Sequence, residues 1–220
     1  MKLMILNGWA ASPHAWDLCC CALGPDVRIF SYLEQLDQLP ERALEAAKEP
    51  VVVMGWSMGG SGALRLACRY PKKIRGLVLL AATPRMMAAN NWAGMSERRI
   101  KAFEGAVKIT HGESFFELPP GKPNPYMADT DENLARGIVY LRETDLRLEL
   151  IDLLASGKAT FPVKVFQSER DGIVRPENVT FLEAVFPQAE VMMVPGSEHA
   201  LPVEIPEEID EAVAEILDRG

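Results

Sequence analysis

The chain has 220 residues, 48% hydrophobic and 25% charged, with a formal net charge of -8. That is ordinary soluble composition and enough length for one domain with a full core, and the acidic balance argues against nucleic acid or an anionic membrane surface as a partner. No apolar run reaches the roughly eighteen residues of a membrane span, and Met1 to Leu6 lead straight into Asn7-Gly8 without a signal-peptide core, so the expected location is the cytoplasm.

Residues 2 to 6 read as a short apolar strand ending at Asn7-Gly8-Trp9, and Ser12-Pro13 as an N-cap and N1 proline opening a helix through about Ala22. Within that stretch Cys19, Cys20 and Cys21 are consecutive, and Cys68 stands alone. No C-x-x-C pair or zinc-ligand spacing exists, so all four read as small, buried or half-buried hydrophobes in a reducing compartment. Val27 to Tyr32 reads as the next strand, and Pro40 to Lys48 as a helix rich in Ala, Glu and Leu.

The most informative stretch follows. Val51-Val52-Val53-Met54 is a strand-type run, Gly55-Trp56-Ser57-Met58-Gly59 a sharp turn, and Met58 to about Arg69 a helical pattern. A serine at the tip of such a turn adopts a cramped backbone that needs small residues two before and two after it, which Gly55 and Gly59 supply. G-x-S-x-G in this setting is a nucleophile elbow that lifts the Ser57 hydroxyl clear of the sheet and aims the Met58 N–H at a developing oxyanion. The plain alternative is a glycine-rich turn opening a helix. A phosphate loop is excluded, because neither G-x-x-x-x-G-K-[ST] nor a G-x-G-x-x-G after a strand is present here.

Tyr70-Pro71 stops that helix and Ile74 to Ala82 is another buried strand. Strand, helix, strand, helix, strand predicts a mostly parallel α/β sheet flanked by helices. In such a sheet the Asn7-Gly8-Trp9 loop lies at the same carboxyl edge as the elbow, where the Trp9 N–H can serve as a second oxyanion donor. Residues 84 to 160 break the rhythm with helical stretches near Ser96 to Lys108, Asp131 to Leu141 and Asp145 to Ala155, and a Pro- and Gly-rich loop from His111 to Tyr126. They read as a helical cap, residues 85–160, inserted within a single domain of residues 1–220; such caps form a pocket and exclude water.

The sheet pattern resumes with Val163 to Gln167, a helix near Pro176 to Phe186, a strand from Glu190 to Val194, and a last helix opened by Pro206. A serine hydroxyl needs a base, and that imidazole needs a carboxylate to fix its tautomer. Asp171 follows one late strand and His199 the last, in the chain order Ser, Asp, His expected of successive strand ends. Asp171-Gly172 could equally be a bare turn, with Glu169 or Glu198 as the acid; of the other two histidines, His14 reads as a surface or packing residue and His111 as solvated.

On Gly55-Trp56-Ser57-Met58-Gly59-Gly60, Asp171-Gly172-Ile173-Val174 and Ser197-Glu198-His199-Ala200, the chain resembles the α/β-hydrolase-fold serine hydrolases over nearly its whole length. Within them it is most similar to the pimeloyl-acyl-carrier-protein methyl ester esterases of biotin synthesis, through Asn7-Gly8-Trp9, Ala81-Ala82-Thr83-Pro84, Trp92-Ala93-Gly94-Met95 and Thr144-Asp145-Leu146-Arg147. It departs from the pattern in having Asn7-Gly8 for the usual His-Gly, no leading β-hairpin, and Ser31 to Gln35 in place of Gly-x-Gly-x-Ser. The resemblance implies a carboxylesterase with Ser57, Asp171 and His199 as catalytic residues, Trp9 and Met58 N–H groups as the oxyanion hole, no cofactor, no metal, and a small-molecule or carrier-protein-bound acyl ester as substrate. Trp9, Trp56, Trp92, Phe115 and Phe116, with Met86, Met87 and Phe103, are candidates to line an acyl pocket. Those esterases grip an acidic carrier with basic cap residues. This cap holds ten Lys and Arg against eleven Asp and Glu, leaving only local clusters, Arg98-Arg99-Lys101 or Arg136 with Arg147, to form a patch. A peptidase, lactonase or C–C hydrolase, or a non-catalytic binding module on the same fold, are the competing readings.

Overall fold

The structure is a computed structural model and describes residues 1–110, 124–127 and 129–219. Among them six strands form one parallel sheet in the order β2-β1-β3-β4-β5-β6: β1 Leu3–Leu6, β2 Val27–Phe30, β3 Val51–Trp56, β4 Ile74–Leu80, β5 Val163–Ser168 and β6 Glu190–Val194. Strands β1 and β3 are apolar throughout because both faces are covered. Met4, Leu6, Val51 and Val53 enter one core with Leu64, Leu150 and Phe186, while Leu3, Ile5, Val52, Met54 and Trp56 enter the other with Trp16, Ile209 and Ile216.

Helices α1 (Tyr32–Leu36), α2 (Leu39–Ala46) and α3 (Met58–Arg69) connect the first strands; α4 (Glu97–Thr110), α5 (Asp131–Glu143) and α6 (Arg147–Ala155) lie between β4 and β5; α7 (Val179–Val185), α8 (Leu201–Glu204) and α9 (Pro206–Asp218) complete the chain. Close packing of α3 on the sheet depends on glycine. A Cβ on Gly59 would lie 1.9 Å from the Leu6 carbonyl oxygen, and one on Gly55 would lie 2.2 Å from that of Gly59.

Several local readings are corrected. The helix expected from Ser12 to Ala22 is two separate 3-10 turns, Pro13–Trp16 and Cys20–Leu23. The Asp210 carboxylate takes the N–H groups of Cys20 and Cys21, each at 2.8 Å, and so withdraws them from a continuous helical ladder. Tyr32 leaves the strand because Ser31 and Glu34 form a capping box that starts α1. Ala81 ends β4 with φ of 45°. The segment from Pro176 begins as a 3-10 turn before α7. His111, Phe115, Phe116 and most of the loop expected from His111 to Tyr126 lie outside the described residues.

The long connection between β4 and β5 is pinned at its base. Arg85 reaches Asp145 at 2.5 Å, Arg147 grips the same carboxylate through Nε and a terminal nitrogen at 2.8 Å each, and the Leu146 N–H donates to the Pro84 carbonyl at 3.0 Å. The Arg147 guanidinium, with Arg85 beside it, lowers the Asp145 carboxyl from its ordinary value to about 2. A carboxyl depressed by folding stabilises the native state above its unfolded value and loses that stabilisation as the pH falls through the folded one. Asp145→Asn should therefore cost about 1 kcal/mol at pH 7 after allowance for solvent screening. In urea titrations the gap to wild type should close between about pH 4 and pH 2; a gap independent of pH would show that this ion pair does not carry the effect.

Candidate active site

The five loops at the carboxyl ends of β1, β3, β4, β5 and β6 meet over the middle of the sheet. Ser57, the residue after β3, has φ 57° and ψ -116°, a conformation that L residues rarely adopt. Two hydrogen bonds hold it there: its N–H donates to the Leu80 carbonyl at 2.9 Å, and its carbonyl accepts from the Ser61 N–H at 3.2 Å. Gly60 packs on Ala82, whose Cβ would be 2.4 Å from any Cβ added there, and Ser61 Oγ donates to the Thr83 carbonyl at 2.7 Å. The small residues after the elbow thus hold α3 against the end of β4.

The hydroxyl that this turn presents lies 2.9 Å from His199 Nε2, and His199 Nδ1 lies 2.7 Å from Asp171 Oδ2. An ionised carboxylate only accepts, so Nδ1 carries the proton and Nε2 is left to accept from Ser57. The second carboxylate oxygen takes the N–H groups of Ile173 at 2.7 Å and Val174 at 2.8 Å, which fixes its plane. Burial of the charge is nearly complete, with the Asp171 side chain 0% and that of His199 8% exposed. Glu169 and Glu198 both face solvent, and the Glu198 N–H donates to Glu204 instead. Trp56, next to the serine, donates from its indole to the His199 carbonyl at 2.8 Å, tying the β6 loop to the elbow. His14 is exposed and pairs with Asp17.

Met58 is the first residue of α3, and its N–H belongs to the first turn, where a helix has no internal acceptor to offer. The Gly8-Trp9 loop stands opposite: a Cβ on Gly8 would lie 3.4 Å from that of Ser57. Asn7, in the position of the resemblance's histidine, is buried, accepts from the Trp16 indole and donates to the Ser12 carbonyl at 3.4 Å. Trp9 is itself gripped from above, by α5 through its indole, which donates to the Leu134 carbonyl at 2.9 Å, and by α4 through Phe103, whose ring lies 4.9 Å from its own.

A narrow cleft opens over Ser57 and His199. Of the candidates for its wall, Trp9, Trp56, Met86 and Phe103 line it. Met87 is buried behind it. Trp92 is not in the lining: its indole donates to the Arg85 carbonyl at 3.0 Å, its ring meets Phe181 edge-on, and the Arg147 guanidinium covers it. The sequence reading missed Met95, Ile100, Tyr126, Ile138, Leu141 and Ile173 in the wall. Ile100 with Phe103, and Ile138 with Leu141, were legible as helix neighbours three apart, but nothing in the sequence said which face looked down on the sheet.

Of the expected basic clusters, Arg136 is paired with Asp37 and Arg147 with Asp145, while Arg98, Arg99 and Lys101 are exposed on α4. Among the described residues no group of three or more His, Cys, Asp and Glu side chains is arranged to hold a metal ion, and no helix is long and apolar enough to cross a membrane.

A profile of the alpha/beta hydrolase fold matches residues 3–205. The chain is 24% identical to the pimeloyl-[acyl-carrier protein] methyl ester esterase of Yersinia enterocolitica, with 99% of this chain and 93% of that protein covered. Against the protein of the same name from Nitrosospira multiformis it is 27% identical, covering 90% and 87%. Among solved structures it is similar to an esterase from Exiguobacterium antarcticum, with a TM-score of 0.77, 17% identity, and 99% and 92% covered. A bromoperoxidase from Bacillus anthracis gives 0.74 at 20% identity, covering 99% and 92%. With its parallel sheet, its elbow and a match over most of its length, the chain belongs to the alpha/beta hydrolase fold family.

Proposed function

We propose that this protein is a serine carboxylic ester hydrolase working through an acyl-enzyme. The observation that carries the reading is the continuous hydrogen-bonded chain from Ser57 Oγ through His199 to the buried Asp171, at the foot of an apolar cleft. Ser57 attacks the ester carbonyl while His199 Nε2 takes its proton. The Met58 and Trp9 N–H groups stabilise the oxyanion, and His199 returns the proton to the departing alkoxide. Water then attacks the acyl-enzyme with the same base, releasing the acid and regenerating Ser57. Asp171 keeps the imidazole in the reactive tautomer and stabilises its cation in a site sheltered from water, where such pairing is strongest.

Residues 85–160 act as a cap in this reading. Support comes from Ile100 and Phe103 of α4 and from Ile138 and Leu141 of α5, which form the cleft wall above the serine. The acyl part of the substrate is aliphatic, as the methionine and isoleucine lining suits. Kinship with proteins named pimeloyl-[acyl-carrier protein] methyl ester esterase favours a methyl ester on a carrier-bound acyl chain as the physiological substrate, with the exposed Arg98, Arg99 and Lys101 available to an acidic carrier.

Purified protein should hydrolyse short-chain p-nitrophenyl esters, and Ser57→Ala should lower kcat by about 10⁴-fold or more. Equal activity in both proteins would remove Ser57 from the mechanism. Asp171→Asn preserves shape but favours the wrong imidazole tautomer, so kcat should fall by about 10³- to 10⁴-fold. A loss below tenfold would assign the acid role elsewhere. In a panel of methyl esters, the methyl pimeloyl thioester of a carrier should surpass methyl acetate in kcat/KM; the reverse order would sink the carrier-bound substrate.

A further inference from the structure

Two peptide planes separate Asn7, the residue after β1, from Trp9, and each is oriented through its carbonyl. In a trans peptide the C=O and the following N–H point in opposite directions, and the described residues contain no cis peptide. The Gly8 carbonyl accepts from the Ala11 N–H at 3.2 Å, which turns the Trp9 N–H the other way. The plane before it is held by a side chain from α1: Gln35 Nε2 donates to the Asn7 carbonyl at 2.8 Å.

That amide is committed to the task. Its nitrogen also lies 3.2 Å from the Ser31 carbonyl oxygen and 3.5 Å from that of Phe30. Its oxygen is buried with no hydrogen-bond partner and sits against Gly62, 2.9 Å from where a Cβ would be. Flipping the amide would set an oxygen against three carbonyls, so the orientation is fixed by its surroundings. The Asn7 oxygen also abuts α3, lying 2.7 Å from the Cβ position of Gly59. One carbonyl is therefore the joint between the loop that carries Trp9 and the helix that carries Met58, and Gln35 is what holds it.

We infer that Gln35 is a positioning residue for the oxyanion site, setting the relation of the two N–H donors through the Asn7 carbonyl. This rests on the oxyanion role proposed above for Trp9 and Met58. Gln35 touches no reacting atom. Its contribution appears only when charge develops on the substrate oxygen, so its loss should fall on kcat and leave KM nearly unchanged.

Two substitutions test this, with p-nitrophenyl ester kinetics, the rate of labelling by a serine-directed phosphonate, and thermal unfolding as readouts. Gln35→Met keeps the length and removes the donor. It should lower kcat and the labelling rate by about 10- to 100-fold with KM within about twofold. Gln35→Glu donates to the Asn7 carbonyl only when protonated, so its activity relative to wild type should rise as the pH is lowered from 8 to 5. Glu41 of α2, Arg65 of α3 and Tyr140 of α5 border the same small cavity, so the direction of that ratio is what counts. A Met variant with kcat within twofold of wild type, or a Glu variant whose ratio ignores pH, would overturn the inference while leaving the esterase reading intact. Should the Met variant fail to fold, the Glu ratio decides alone. Wild-type protein that neither turns over ester nor takes the label would bring down the esterase reading, and the role of Gln35 with it.

Discussion

Everything at this site depends on one uncomfortable backbone. Ser57 sits at φ 57° and ψ -116°, a region that costs on the order of 1–3 kcal/mol to occupy, and the surroundings must over-determine it. They do so by contact at backbone range. Gly55 lies against Gly59, and Gly59 against Leu6, while Leu6 and Gly55 are paired across β1 and β3. The N–H of the strained residue is spent on β4 through Leu80. Three adjacent strands and one helix thus converge on a single residue, and the close approach of α3 to β1 and β3 is possible only where a side chain is missing.

The second requirement is electrostatic. Asp171 is buried as a charge, which is unfavourable unless both carboxylate oxygens find donors. Two backbone N–H groups and one imidazole N–H meet that need, and the same three bonds aim His199 at the serine. Stability and reactivity therefore draw on one set of contacts. Trp56 adds a mechanical link, since the residue that precedes Ser57 also holds the backbone of His199.

Much of this was legible before any coordinates. Val51 to Gly60 announced strand, turn and helix because the chemistry of an elbow demands small residues at fixed offsets, and Asp171 and His199 followed from the need for loops at strand ends. The sheet was legible because its buried parallel strands are dominated by apolar and β-branched residues. What sequence could not supply was long-range competition for backbone groups. Asp210 lies about 190 positions from the N–H groups of Cys20 and Cys21 that it captures, and no local pattern foretells it. The capping box at Ser31 and Glu34 was local and readable, yet the apolar strand beside it dominated the reading. Trp92 looked like a pocket residue from composition alone; its place was decided by a hydrogen bond to Arg85 and a cation above its ring.

The clasp of Arg85, Asp145 and Arg147 has a further meaning for how such a protein can change. It brings together positions 60 residues apart, so the chain between them is a closed loop whose ends the sheet already fixes. The entropy of closing a loop grows slowly, by about 0.6 kcal/mol for each doubling of its length. Changes of length between the helices inside the clasp leave its ends where the sheet places them. The walls over Ser57 are thus held at their ends by the clasp and tied to the β1 loop through the Trp9 indole and the Leu134 carbonyl.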